Sequence, residues 1–250
     1  WLRLQREPLA WRHKFGSNIY ELAVSPDGKT LAGASQDGTL YLIDAVDGAV
    51  RALRARSGAQ IISVAFGPRG RTVAVGRWNR SVLLWDLQRR TYRELPPARV
   101  TATALAFSPD GETLAGTEEA GGVRLWDVGQ RELVATMKPR PGAGRAPATL
   151  TLAFSPDGKL LASSGRDRRV VLWDVSARQP WTALEGHRGR VYGVAFSPDG
   201  RWLATCGSDH RAAVWELGPV RPPASAPRPP RPRWLEGHTA AVSDLAFTPD

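Results

Sequence analysis

Short apolar runs separated by polar turns recur along the whole chain, and the stretch from Leu184 to Glu216 shows the pattern most fully. The run Val191–Phe196 leads into Ser-Pro-Asp-Gly, a second run covers 202–205, and a polar turn precedes a third at 212–215. Runs this short and rich in Val, Phe and Trp suit pleated, half-buried strands. Pro and Gly suit the tight turns between such strands. The pattern therefore predicts antiparallel strands joined in hairpins.

Two landmarks repeat in phase with each other. The first is SPDG at Ser25, Ser108, Ser155 and Ser197, GPRG at Gly67 and TPD at Thr248. The starts of successive copies lie 42, 41, 47, 42 and 51 residues apart. The second landmark is Trp-Asp at 85–86, 126–127 and 173–174, Ile-Asp at 43–44 and Trp-Glu at 215–216. A period of about 40–45 residues that ends in Trp-Asp indicates a propeller of four-stranded blades.

On these residues the chain resembles the WD40-repeat family over nearly its whole length. The resemblance implies an all-β fold, a WD40-type β-propeller, in which strands a, b, c and d of each repeat form one blade. We expect a single domain over 1–250 that is a partial ring of five complete four-stranded blades, a piece of a longer propeller. The repeats are expected at about 15–56, 57–97, 98–144, 145–186 and 187–237, with partial repeats at 1–14 and 238–250.

The composition and net charge exclude some classes of function but do not indicate a single one. The formal net charge is +10, but arginines account for most of it and are spread along the chain, so the charge alone does not single out a nucleic-acid partner. Cys206 is the only cysteine, which excludes an intrachain disulfide and fits a reducing compartment, so we expect a cytoplasmic protein. No apolar run approaches the ~18 residues of a membrane helix, and no membrane contact is expected.

The resemblance also implies a structural tetrad in each blade, a His, a Ser or Thr, an Asp and a Trp joined by hydrogen bonds. The fifth repeat matches it throughout, with His187, Thr205, Asp209 and Trp215 at the four positions. The other repeats keep only part of it: Ser163, Asp167 and Trp173 in the fourth, with Arg145 at the His position; Asp37 in the first; Trp85 in the second; Trp126 in the third. Because a buried polar network is stable only when complete, we expect the fifth repeat to be the stiffest.

The residues of the predicted tetrad do not indicate a catalytic site. His187 beside Asp209 and Thr205 could suggest a nucleophilic triad, but the hydroxyl would be buried in strand b. Neither a Gly-x-Ser-x-Gly elbow nor a Gly-x-x-x-x-Gly-Lys phosphate loop is present in the sequence. The histidines and the single cysteine lack the spacing of metal ligands. We therefore predict a protein that is not an enzyme and that needs no metal or other cofactor.

Partners are expected on the top face of the propeller, as the resemblance implies. There the side chains at the start of strand a and just before the Asp of the b–c turn are available for binding. By position these are Tyr20, Gln36, Ile62, Trp78, Glu119, Arg166, Arg190 and Tyr192. Tyr, Trp and Arg dominate binding hot spots. Trp78 stands out because small or polar residues usually fill its position.

The predicted function is a non-catalytic scaffold that binds other proteins or peptides through these top-face loops. Two alternatives stay open. A basic propeller could contact nucleic acid through Arg80, Arg166 and Arg190, or the chain could be a sensory or regulatory module beside a catalytic domain such as a protein kinase. The Pro/Arg-rich insertion at 219–233 could dock in an aromatic groove or serve only as a spacer.

Overall fold

A computed structural model describes residues 11–96, 102–118, 121–139, 149–218 and 230–248. Its twenty strands form five four-stranded antiparallel sheets, and within each sheet the strands pair in chain order. We call the sheets blades 1 to 5 and their strands a to d. No helix occurs among the described residues, so none could cross a membrane. Most of the insertion at 219–233 lies outside the described residues.

The strands of each blade are short. Blade 1 contains β1 (Ile19–Val24), β2 (Thr30–Ser35), β3 (Thr39–Asp44) and β4 (Val50–Arg54). Blade 2 contains β5 (Ile61–Phe66), β6 (Thr72–Arg77), β7 (Val82–Asp86) and β8 (Thr91–Leu95). Blade 3 contains β9 (Leu105–Phe107), β10 (Thr113–Thr117), β11 (Val123–Asp127) and β12 (Glu132–Met137). Blade 4 contains β13 (Thr149–Phe154), β14 (Leu160–Gly165), β15 (Val170–Asp174) and β16 (Gln179–Leu184). Blade 5 contains β17 (Val191–Phe196), β18 (Trp202–Gly207), β19 (Ala212–Glu216) and β20 (Pro232–Leu235).

Successive blades pack through their first two strands. From blade 2 onward, strand a of each blade contacts strands a and b of the preceding blade, which arranges the a strands around a common axis. The described strands leave the ring open between blade 1 and blade 5. At this opening Leu22 and Val24 of β1 are exposed, whereas Val64 and Val194, at the position of Leu22 in blades 2 and 5, are buried. Those valines are covered because another blade lies against them.

The apolar core consists of four clusters, each between two successive blades. One joins Leu84 of blade 2 to Leu114 and Trp126 of blade 3, and another joins Leu172 of blade 4 to Trp215 of blade 5. Burial of this apolar surface is the main favourable term in folding. A single blade would leave both of its faces in water, so each blade depends on its neighbours, as in other repeat proteins.

The SPDG turns are closed by their own side chains. Ser25 Oγ donates to Asp27 Oδ1 over 2.6 Å and accepts from the backbone N–H of Thr30 over 2.8 Å. The same bonds recur at Ser108, Ser155 and Ser197. The turn ends in glycine because φ is positive there, +77° at Gly111, and because a Cβ on Gly111 would lie 3.0 Å from Pro68 of the preceding turn. The turns thus stack side by side around one end of the ring, the bottom face.

The Asp of each Trp-Asp pair has a structural task. Asp86 Oδ1 accepts from the backbone N–H groups of Gln88 and Arg89, which closes the c–d turn on the bottom face. Asp44 accepts the two equivalent backbone bonds, Asp174 accepts from the Ser176 hydroxyl and the Ala177 N–H, and Asp127 accepts from the Gln130 N–H. The repeated landmark of the sequence is therefore a strand end followed by a turn cap.

Candidate partner-binding face

A continuous chain of hydrogen bonds crosses the top of blade 5. His187, from the loop before strand a, lies 2.9 Å from Asp209 of the b–c turn through Nδ1. Its Nε2 lies 2.8 Å from Thr205 Oγ1 of strand b, and Trp215 Nε1 of strand c donates to the same oxygen over 2.9 Å. The structure thus joins the loop, the turn and two strands through the four residues of the predicted tetrad.

The roles of donor and acceptor in this chain follow from the carboxylate. The carboxylate of Asp209 only accepts, so His187 donates from Nδ1, and its Nε2 forms a hydrogen bond with the hydroxyl of Thr205. Burial opposes ionisation of Asp209, but hydrogen bonds from the Arg188 backbone N–H and from His187 outweigh it and lower the pKa of Asp209. Because His187 and Thr205 are buried, the chain is a structural clamp rather than a site open to substrate.

Blade 4 retains half of this network. Trp173 Nε1 donates to Ser163 Oγ over 2.8 Å, as the corresponding pair does in blade 5. Arg145, which holds the His position in the sequence, lies outside the described residues. Asp167 accepts from the backbone N–H of Arg169, but burial dominates and raises the pKa of Asp167. The lower half of the network therefore persists where the sequence lacks the His.

Blade 2 uses another arrangement in the same place. Val75 stands where blade 5 has Thr205, and the buried Trp85 Nε1 has no hydrogen-bond partner. Arg77 fills the space instead: its Nε donates to Ser81 Oγ over 2.6 Å, and other guanidinium nitrogens reach Ser57 and, at 3.5 Å, Glu94. Sequence reasoning missed this role of Arg77. A signal was present, because blades 1, 4 and 5 have Ser35, Gly165 and Gly207 at that position.

Blades 1 and 3 also replace the tetrad with charged pairs at the top. In blade 1, Asp37 accepts from Tyr41 and pairs with Arg54 at 3.3 Å. In blade 3, Glu118 pairs with Arg124 at 3.2 Å, and Trp126 Nε1 donates to Pro96 O over 2.7 Å. These partners come from other strands and, for Pro96, from the preceding blade. Of these, only the bond to Pro96 joins two repeats, so spacing within one repeat could not have indicated it.

The b–c turns and the starts of the a strands lie together at one end of the blades, the top face. The backbone N–H of Trp78 donates to Gln60 O over 2.9 Å, and that of Ser208 donates to Arg190 O over 2.8 Å. A further bond of this kind joins Gln36 to Asn18. Side chains from both segments are therefore presented side by side on every blade that shows this bond.

The predicted binding residues differ in exposure. Trp78 is 65% exposed and Tyr20 is 48% exposed, and the side chains of Arg166 and Arg190 are exposed as well. Gln36, Ile62 and Tyr192 are half-buried, and Gln36 accepts from the Asn18 amide over 3.0 Å. Glu119 lies outside the described residues. Exposed Trp and Arg side chains on loops held by a rigid scaffold are suited to recognition of a partner.

Other kinds of site have little support in the part of the chain that the structure describes. No three His, Cys, Asp or Glu side chains there lie close enough together to hold a metal ion. An open cleft of about 520 Å³ lies between blades 2 and 3 on the bottom face, with Arg69, Phe107 and Glu112 in its lining. None of the predicted binding residues borders this cleft.

Comparison with known families agrees with this geometry. The sequence model of the WD40 family, described as WD domain, G-beta repeat, matches residues 10–44, 49–86, 93–127, 146–174 and 178–216, which together are more than half of the chain. A search of curated proteins found no match. WD40 repeats generally indicate protein-interaction scaffolds, and propellers of this kind are typically non-catalytic. With five matched repeats and five four-stranded blades, the chain belongs to the WD40-repeat family.

Proposed function

We propose that this protein is a non-catalytic scaffold that binds protein or peptide partners through its top face. The observation that carries the proposal is Trp78, a large aromatic side chain that is 65% exposed at the tip of a b–c turn. The binding surface would combine Trp78 with the other described residues predicted from the sequence: Tyr20, Gln36, Ile62, Arg166, Arg190 and Tyr192.

Trp78 stands on a rigid turn, which favours a recognition role. Its backbone N–H bonds to Gln60, and the neighbouring Arg77 N–H bonds to Ser81 O over 2.9 Å. The buried guanidinium of Arg77 then holds the turn to Ser57 and Ser81. A turn whose backbone is held in place before binding loses little conformational entropy when the partner arrives. A buried Arg directly before an exposed Trp is thus the arrangement expected of a preorganised hot spot.

The experiment compares Trp78→Ala with Val46→Ala, because Val46 is an exposed apolar residue on the bottom face. Binding proteins are captured on the immobilised chain, quantified by mass spectrometry, and checked by thermal melting of each variant. We expect Trp78→Ala, and to a smaller degree Tyr192→Ala, to reduce capture of specific partners by about tenfold, corresponding to ~1.4 kcal/mol. Val46→Ala should leave capture unchanged. Equal capture by all of these variants, with equal melting temperatures, would rule out the top-face assignment.

A further inference from the structure

Four exposed arginines gather where blades 4 and 5 meet on the top face. Arg166 and Arg168 belong to the b–c turn of blade 4, and Arg188 and Arg190 belong to the loop that enters blade 5. Ser164 Oγ of blade 4 donates to Val191 O of blade 5 over 2.9 Å. Because Arg166 lies two residues after Ser164 and Arg190 directly precedes Val191, this bond brings the two segments together. We call these four residues the arginine cluster.

The carboxylates beside the arginine cluster already have partners. Asp209 accepts from His187 and from the backbone N–H of Arg188. Glu185 pairs with Arg169 at 3.1 Å, and Asp167 accepts from the backbone N–H of Arg169. Among the described residues, none of the four side chains of the cluster forms a salt bridge. The charge of Arg168 acts on Asp167, where it opposes the larger effect of burial on the pKa of that carboxyl, but all four arginine side chains are exposed and accessible to a partner that docks on this face.

The bottom face has a different balance of charge. There the strand-c ends and the SPDG turns place carboxylates such as Asp86, Asp174 and Asp199 next to the basic residues. Arg89 pairs with Asp86 at 3.3 Å, and Lys159 pairs with Asp157 at 3.7 Å. Part of the positive charge on the bottom face is thus neutralised by neighbouring carboxylates, whereas the four arginines of the cluster lie together without a salt bridge among the described residues.

We propose that the arginine cluster binds an acidic peptide segment, rich in Asp and Glu, of a protein partner. This inference rests on the proposed function and adds the chemical class of the partner. The planar guanidinium matches a carboxylate with two parallel hydrogen bonds. Tyr192 lies two residues after Arg190, on strand a of blade 5. Its half-buried ring supplies an aromatic surface beside the charges.

A peptide fits this surface better than a nucleic acid does. Binding along a phosphate backbone favours an extended basic stripe or groove. Here the carboxylates of Glu185 and Asp167 lie within the same loops as the cluster, and Asp37 lies on the top face of blade 1. The positive surface is therefore short and interrupted, and it matches a few side-chain carboxylates.

The test measures fluorescence anisotropy of a labelled peptide in which Glu and Ser alternate. A Lys-Ser peptide of equal length and a single-stranded thymidine oligonucleotide of equal charge serve as the other probes. The top variant is the double substitution Arg188→Gln with Arg190→Gln. Its matched control is Arg71→Gln with Arg201→Gln, which removes two exposed positive charges from the bottom face.

We expect the Glu-Ser peptide to bind the unaltered chain and the bottom-face control alike, and to bind the top variant about tenfold more weakly. Added salt should weaken the binding. The inference fails if the Glu-Ser peptide does not bind, if both double variants weaken it equally, or if the oligonucleotide binds more tightly. If one of these results occurs while Trp78→Ala still reduces the capture of partners, the proposed function stands. Only the inference that the partner segment is acidic would then be rejected.

Discussion

Blades 5 and 2 have the same strands in the same order, yet their upper ends are held in different ways. In blade 5 a buried chain of hydrogen bonds runs from Asp209 through His187 and Thr205 to Trp215. In blade 2 the equivalent tryptophan, Trp85, is just as buried but its Nε1 has no partner. The sheet forms in both cases, so the polar chain is not what specifies the blade.

The comparison of blades 5 and 2 shows that the strands and the top loops of a repeat are stabilised by different interactions. Apolar packing between neighbouring blades, with Trp85 and Trp215 both in core clusters, holds the strands in place. The polar groups at the top fix the loops. Where blade 5 uses His187 for this, blade 2 uses the guanidinium of Arg77, and the next residue, Trp78, is exposed to solvent. Departure from the family pattern therefore marks a candidate binding position rather than a damaged blade.

The largest effect is expected when the chain of blade 5 is broken at its centre. Thr205→Val removes the hydroxyl that both His187 Nε2 and Trp215 Nε1 use. Two buried polar groups would lose their partner, so the free energy of unfolding should fall by about 2–4 kcal/mol in urea denaturation. Thr205→Ser keeps the hydroxyl and should lose much less. A loss for Thr205→Val no larger than that of the Ser variant would show that the polar chain contributes little.

A pH titration should act in opposite directions on the contact of Glu21 in blade 1 with blade 2 and on the polar chain of blade 5. Burial raises the pKa of Glu21 from its ordinary 4.5 to about 7. The hydrogen bond that Glu21 accepts from the Val64 N–H of blade 2 opposes this rise, whereas the negative charge of Asp244 increases the pKa further. The folded state thus binds this proton more tightly than the unfolded state. The stability from Glu21 is therefore complete below about pH 4.5 and is lost as the pH rises towards 7. The lowered pKa of Asp209 has the reverse effect, since its contribution is lost when the pH falls below the unfolded value.

Glu21→Gln isolates the first of these effects. Its amide oxygen can still accept from Val64 N–H, but the side chain no longer ionises. Above about pH 8 the variant should be more stable than the unaltered chain, by at most about 3 kcal/mol, and at about pH 4 the two should be similar. Urea denaturation at several pH values measures the difference. Parallel pH profiles for the two proteins would show that Glu21 does not titrate in this range.

The smallest effect is expected from giving blade 2 the missing hydroxyl. Val75→Thr places an acceptor where Thr205 stands in blade 5, within reach of the unpartnered Trp85 Nε1. We expect a gain of about 1 kcal/mol in the free energy of unfolding. Val73→Thr is the matched control on the same strand. Its hydroxyl would be buried among apolar side chains, so it should destabilise by about 1–3 kcal/mol. Equal losses in both variants would contradict the comparison of the two blades.

The sequence predicted the local features of the fold well. Strand a of blade 5 begins and ends where the apolar run does, at Val191 and Phe196. The SPDG turns follow from residues that bond within a few positions of one another, as Ser25, Asp27 and Thr30 do. Spacing also pointed to the tetrad of blade 5, because its members recur at positions that the repeat makes equivalent.

Features that join separate repeats were beyond the sequence. Trp126 finds its acceptor in Pro96, which precedes it by 30 residues and lies in the preceding repeat. The arginine cluster likewise exists only because Ser164 and Val191 meet.

The sequence by itself determined the strands, the turns and the order of the blades, since these depend on apolar alternation and on short-range bonds at Pro, Asp and Gly. Only the tertiary structure decided which polar groups meet at the top of each blade and which charges remain unpaired there. The physical reason is that hydrogen bonds and ion pairs act over a few ångströms in space, and stacking of the blades brings together side chains that lie far apart along the chain.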